Sequence, residues 1–209
     1  MISTTKKTKD VLDRDPQKRR ASTLTIIAIA GLVLFLIDVL VTTLLRPEYN
    51  PLVHGLSYYA VGPRGWLMGA GLVSIALTGI AVALQHARAE RQGRSTAGII
   101  LLITWGISQI LAVIFPLDLP GSTPTLSGQI HGWMGMNFTL MLIAALLISR
   151  KLNKAAPNPR RMTAAVLITI TSILLILFMG ALQPLGLGGV FQRLYWLSVV
   201  VWLAMMIRA

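Results

Sequence analysis

"LTIIAIAGLVLFLIDVLVTTLL", residues Leu24–Leu45, runs for 22 residues with no lysine or arginine and a single acid, Asp38. At about 1.5 Å of rise per residue such a helix is roughly 33 Å long, enough to cross the roughly 30 Å hydrocarbon core of a bilayer. The run is too long for a signal-peptide core and follows a polar stretch, "MISTTKKTKDVLDRDPQKRRAST", so it reads as a retained span. Residues 1–22 are then a disordered basic cytoplasmic tail, and residues 23–209 one transmembrane domain. Five more apolar segments follow: Trp66–Leu84, Ala97–Phe115, Trp133–Ile148, Met162–Leu182 and Phe191–Ile207. The fourth and sixth reach full span length by starting a few residues earlier, at Gly128 and Gly188. The expected fold is all-α and polytopic, with six transmembrane helices.

Composition supports the same class. Of 209 residues, 55% are hydrophobic and 12% charged, against roughly 45–50% and about 25% in soluble domains. The formal charge of +12 sets membrane orientation in so apolar a chain, and no basic groove interleaved with aromatics points to nucleic acid. The absence of cysteine excludes disulfides, cysteine-held metals, thiol catalysis and lipidation on cysteine.

Sixteen of the 19 Lys and Arg fall in the N-terminal tail, the second and fourth connections and the C-terminus, leaving Arg46, Arg64 and Arg193 for the other side. By the positive-inside rule both termini are cytoplasmic, in the inner or plasma membrane, and the first, third and fifth connections face outward. The cytoplasmic connections read as snorkelling anchors for anionic headgroups, with His86 on their surface. The outer ones, "RPEYNPLVHGLSYYAVGPRG" and "PLDLPGSTPTLSGQI", hold most of the Pro, Tyr, Ser, Asp and His. The inward-going helices open alike, with "RGWLMG" from Arg64, "HGWMGM" from His131 and "RLYWL" from Arg193. That pattern fits three successive hairpins whose tryptophans anchor at the interface.

Asp38 lies inside the first span, so it faces the bundle, either as a structural partner of Arg64, Arg193 or a hydroxyl, or as a proton-carrying or catalytic acid. Asp118 and His131 flank a loop stiffened by Pro116, Pro120 and Pro124. If they meet, the carboxylate orients the imidazole as in a general base; otherwise each braces its loop. His54 is followed by Tyr58 and Tyr59, expected at headgroup level. No HxxxH or HxxE spacing exists, so no metal site is assigned. No cofactor is specified either. Gln109 and Asn137 read as interhelical hydrogen-bond glue, and Gln183 as a span end.

At "NPLVHGLSYYAVGPRGWLM" and "FPLDLPGSTPTLSGQIHGW" the chain resembles the bacterial and archaeal membrane family catalogued as domain of unknown function 998, on Ser57, Tyr59, Gly65, Phe115, Asp118, Gly128 and His131. The resemblance implies a small six-helix protein with a Ser/Tyr-rich first outer loop and a second of the form F-P-x-D, a Pro/Gly stretch, then G-x-x-H. Some members are similar but carry a further His before that Gly, where this chain has Ser127. It implies no established activity.

Two functions remain in view. One is an outward polar pocket with Asp38 as floor and His54, Tyr58, Tyr59, Arg64, Asp118, His131 and Arg193 as walls. It would bind a lipid headgroup or small amphiphile, with Arg64 and Arg193 as anion contacts and hydrolytic chemistry by Asp118 and His131 as a bolder extension. The other is a non-catalytic accessory subunit packed against other membrane proteins through stretches such as "GWLMGAG". Membrane lipids are partners in both.

Overall fold

The structure is a computed structural model that describes residues 16–88, 93–135, 137–178 and 185–207, with side chains from Thr23 onward. Residues 1–15, which hold most of the expected tail, lie outside these ranges, as do Arg91, Gln183 and Arg208. All regular structure among the described residues is helical: α1 (Pro16–Leu45), α2 (Leu56–Tyr59), α3 (Gly65–Ala87), α4 (Thr96–Ile114), α5 (Leu126–Gly135), α6 (Phe138–Ala155), α7 (Pro159–Leu177) and α8 (Gly188–Met206). Six segments are long and apolar enough to cross a membrane, α5 and α6 together making the fourth. The protein is a multi-pass membrane protein, and α1 begins at the same end of the bundle as α8 finishes if all six candidates cross. The other side carries α2 and is called here the α2 end.

Helix limits follow local chemistry. Ser95 and Asn158 cap α4 and α7 by accepting from the Gly98 and Arg161 N–H groups, and Pro159 occupies the first turn of α7, where no N–H is needed. The "LPGS" turn places Pro120 before Gly121 at φ +84°, the arrangement of a type II turn, closed by the Ser122 N–H on the Leu119 carbonyl at 3.0 Å.

Each span packs on the next in the chain, and α8 touches α1 and α3 to close the bundle. Trp105, Tyr195 and Trp202 are fully buried at its centre, with the Trp105 indole N–H donating to the Tyr195 hydroxyl at 3.2 Å and the Trp202 N–H to Ser149 at 2.9 Å. Burying a large aromatic while pairing its polar tip retains the packing gain without an orphaned donor. α1 lies close on α3: Gly31 sits against Ser74 and Thr78, and Gly71 against Asp38, each where a methyl group would collide.

The similar openings of the three inward-going helices do not share an environment. Trp66 and Trp133 are 69% and 63% exposed on the lipid-facing surface, whereas Trp196 is 6% exposed and packs on Phe35, Trp105 and Tyr195. Trp196 is therefore a core residue and not an interfacial anchor.

Candidate functional site

The α2 end is built first by arginines. Arg46, just past α1, is nearly buried; its guanidinium donates to the carbonyls of Tyr59 (3.1 Å) and Val61 (2.7 Å) and to Glu48 (2.6 Å) and lies over the Tyr49 ring. That hydrogen bond holds the Glu48 carboxyl below the usual glutamate range. Arg193 of α8 donates through one nitrogen to the carbonyls of Pro51 (2.5 Å), His54 (2.9 Å) and Gly189 (3.3 Å). Arg64 donates to the Leu45 carbonyl at 3.1 Å, at the C-terminus of α1, where a cation also meets the negative end of the helix dipole. The three arginines are tied to backbone carbonyls.

Aromatics fill the space between. Tyr59 is fully buried and donates to the Tyr49 carbonyl at 2.9 Å. Nδ1 of His54 lies 2.9 Å from the Asn50 N–H nitrogen and 3.2 Å from the Asn50 carbonyl, and the ring packs edge-on to Tyr49 and Tyr58. His54 and Tyr58 line a groove of about 400 Å³ together with Pro120, Phe178 and Gln192. Gln192 accepts the Leu56 N–H, fixing the start of α2.

The second outer loop is equally engaged. Asp118 accepts from the Thr125 N–H (2.7 Å) and hydroxyl (2.8 Å), and the Thr125 hydroxyl accepts the Gly128 N–H at 3.1 Å. Thr125 thus caps α5 and Asp118 holds the cap. A methyl group on Gly128 would fall on the Asp118 carboxylate, so glycine there is a requirement of the brace. His131, on α5, turns Nδ1 to the carbonyls of Phe115 (2.8 Å) and Ala112 (3.2 Å) at the end of α4. Facing two acceptors, Nδ1 carries the hydrogen, and Nε2 keeps the free lone pair. No hydrogen bond joins Asp118 to His131, and Asp38, packed on Gly71, has no hydrogen bond or ion pair among the described residues. Nor do three of His, Asp and Glu gather in one place among the described residues.

Beneath this layer lies a chamber of about 30 Å³ between α2, α4, α5, α6 and α8. Its polar lining is Gln109, His131, Asn137, Gln192 and Ser57 with the edge of Trp196. Of the buried side-chain atoms left without a partner among the described residues, three belong to this lining: Gln109 Nε2, Asn137 Oδ1 and Trp196 Nε1. All three side chains are more than nine-tenths buried. Asn137 is held by its other amide atom, which donates to Ser108 at 2.9 Å. Leaving such a group unsatisfied costs about 1–3 kcal/mol, so three at one cavity are a feature to explain. Two donors and one acceptor there, with His131 Nε2 as a second acceptor, suit a group that both gives and takes a hydrogen bond.

Of the residues expected at a site, only His131 lines the chamber. Asp118 braces beside it, His54 and Tyr58 line the neighbouring groove, and Tyr59, Arg64, Arg193 and Asp38 sit elsewhere. From the sequence Gln109 and Asn137 read as interhelical glue and Trp196 as an interfacial anchor, the usual roles of a lone amide or tryptophan in a span. The pair Ser108–Gln109 in mid-span was the available signal.

A family model described as "Protein of unknown function (DUF998)" matches residues 28–209. The chain belongs to this family. The match covers all six spans apart from the first residues of α1, and so takes in the chamber and both loops of this DUF998 protein. No curated protein and no solved structure matches the chain.

Proposed function

We propose that this DUF998 protein binds the uncharged polar end of a small amphiphile in the chamber, from the outward side that the arginine distribution assigns to the α2 end. The observation that carries this reading is that three residues lining one cavity, Gln109, Asn137 and Trp196, each hold a buried polar atom without a partner among the described residues. Charge decides against an ionic headgroup: no Asp, Glu, Lys or Arg lines the chamber, and the nearby arginines already serve backbone carbonyls. Size decides in the same direction. A water needs roughly 10–15 Å³ of such space, so about 30 Å³ takes about two waters or one hydroxyl, carbonyl or amide. Catalysis is not part of the reading, because the groups that would form an acid–base pair are each committed to loop backbone.

Native mass spectrometry of the protein gently extracted from its own membrane tests it, wild type beside Gln109→Leu and Asn137→Leu. A neutral amphiphile retained by the wild type and lost from both variants is expected. A wild type that carries none, or variants that retain it fully, would overturn the proposal.

Asp38 favours a second reading. A carboxyl inside a span with no partner, on a helix whose Ile26, Val33, Ile37 and Leu40 face outward, is suited to a hydrogen-bond donor on another subunit. The accessory role then predicts, in the same spectra, a larger assembly that Asp38→Ala disperses; a wild-type monomer would remove it.

A further inference from the structure

α5 and α6 together make the fourth candidate span, and between them the Asn137 N–H is donated to the Met134 carbonyl at 3.0 Å. Near Met134 and Asn137 both sides of this span are hollow. On the inner side lies the chamber. On the lipid-facing side lies a groove of about 350 Å³ between α4 and α5–α6, lined by Ile107, Leu111, Trp133 and Leu140 with Ser108 and Asn137 at its base. Met134 and Asn137 line both hollows, so one residue pair separates them. The groove wall is apolar, its Ile107 and Trp133 are 47% and 63% exposed, and the Thr104 hydroxyl on its edge is satisfied by the Ile100 carbonyl. At the depth of α4 the medium facing this groove is hydrocarbon.

Resting on the binding proposed above, we infer that the ligand enters sideways from the bilayer as a single-chain neutral amphiphile. Its hydroxyl or carbonyl end passes Met134 and Asn137 into the chamber while its hydrocarbon chain stays in the groove between α4 and α5–α6. Asn137 is suited to the threshold: Ser108 fixes one amide atom, and Oδ1 is left to meet the arriving group. The loop-end groove at His54 and Tyr58 is the competing entrance, reached from water.

The test uses the full chain in phosphatidylcholine vesicles and hexadecanol bearing a mid-chain diazirine, irradiated and mapped by peptide mass spectrometry. Label is expected to concentrate on Ile107, Trp133 and Leu140 of the wild type. It should fall about tenfold in Leu140→Trp, which fills the groove, and about tenfold in Gln109→Leu, the effect of one lost hydrogen bond. The wild-type map stands even if a variant folds poorly. Label spread evenly over Ile37, Ile100 and other lipid-facing residues would overturn the lateral route. Label on His54 and Tyr58 that disappears in Gln109→Leu would overturn the route while sparing the chamber. Groove label unchanged by Gln109→Leu would overturn the chamber and the inference together.

Discussion

The α2 end holds two layers of polar side chains with opposite habits. In the loop layer Arg46, Arg193, Asp118 and His131 each meet backbone groups or a capping threonine, at 2.5–3.3 Å. In the chamber directly beneath, Gln109, Asn137 and Trp196 keep atoms with nothing to bond. Arg46 and Trp196 are both 6% exposed, so for that pair access to water does not explain the contrast; Arg193, Asp118 and His131 are half-buried, and Arg193 Nη2 is itself without a partner among the described residues. What differs is the supply of partners. Loops and frayed helix ends offer carbonyls and N–H groups in excess, whereas intact helices consume their own. Polar residues among intact spans must find partners on a neighbouring helix, as Trp105 and Trp202 do on Tyr195 and Ser149, or stay unsatisfied.

Breaking the loop layer should give the largest effect. Arg46→Met removes a buried guanidinium from two carbonyls and is expected to destabilise by about 3 kcal/mol, read as a lowered thermal midpoint in detergent. Arg64→Met, losing one exposed bond, should change it by less than about 1 kcal/mol. Equal effects would show that the loop layer is not held as described.

Gly128→Ala comes next. The added methyl must displace the Asp118 carboxylate from Thr125, for a loss of about 2 kcal/mol. In an Asp118→Ala background the same change should cost less than half as much, because the obstacle is gone; full additivity would mean that the two do not touch.

The chamber should respond with the other sign. Gln109→Leu replaces an orphaned amide by a group that wants no partner, and is expected to leave stability unchanged or raise it by about 1 kcal/mol while ligand retention falls. A clear destabilisation would place Gln109 with the braces. The smallest effect concerns pH. Glu48 is held below its ordinary value in the folded protein, so its contribution is complete above the unfolded value near 4.5 and fades as pH falls through the folded one. Thermal midpoints of wild type and Glu48→Gln should differ slightly at pH 7 and converge as the pH falls through the lowered folded value; a gap that persisted in acid would trace the effect to packing.

The bundle was legible from the sequence because bilayer thickness fixes span length, and runs such as Leu24–Leu45 meet that length whatever they pack against. The earlier starts allowed at Gly128 and Gly188 proved close: the structure starts these spans at Leu126 and Gly188. The site was read from its loudest residues. Asp118 and His131 read from sequence either as loop braces or as a general-base pair; each bonds within its own neighbourhood, and no hydrogen bond joins the two. Whether an amide faces a neighbour or a cavity, by contrast, depends on helix rotation that hydropathy does not encode. Asn137 does act as interhelical glue through its bond to Ser108, whereas the Gln109 Nε2 without a partner among the described residues could not be foreseen.

The two arginine latches on the first connection differ in how far along the chain they reach. Arg46 binds carbonyls 13 and 15 residues downstream, whereas Arg193 binds carbonyls 142 and 139 residues upstream. During synthesis the first latch has both halves as soon as the second span emerges, and closing so short a loop requires little loss of chain entropy. The second must wait until the sixth span is threaded. The loop over the chamber is thus half fastened at the beginning of biogenesis and fully fastened only at its end, giving each newly made copy a built-in signal that its last helix has arrived.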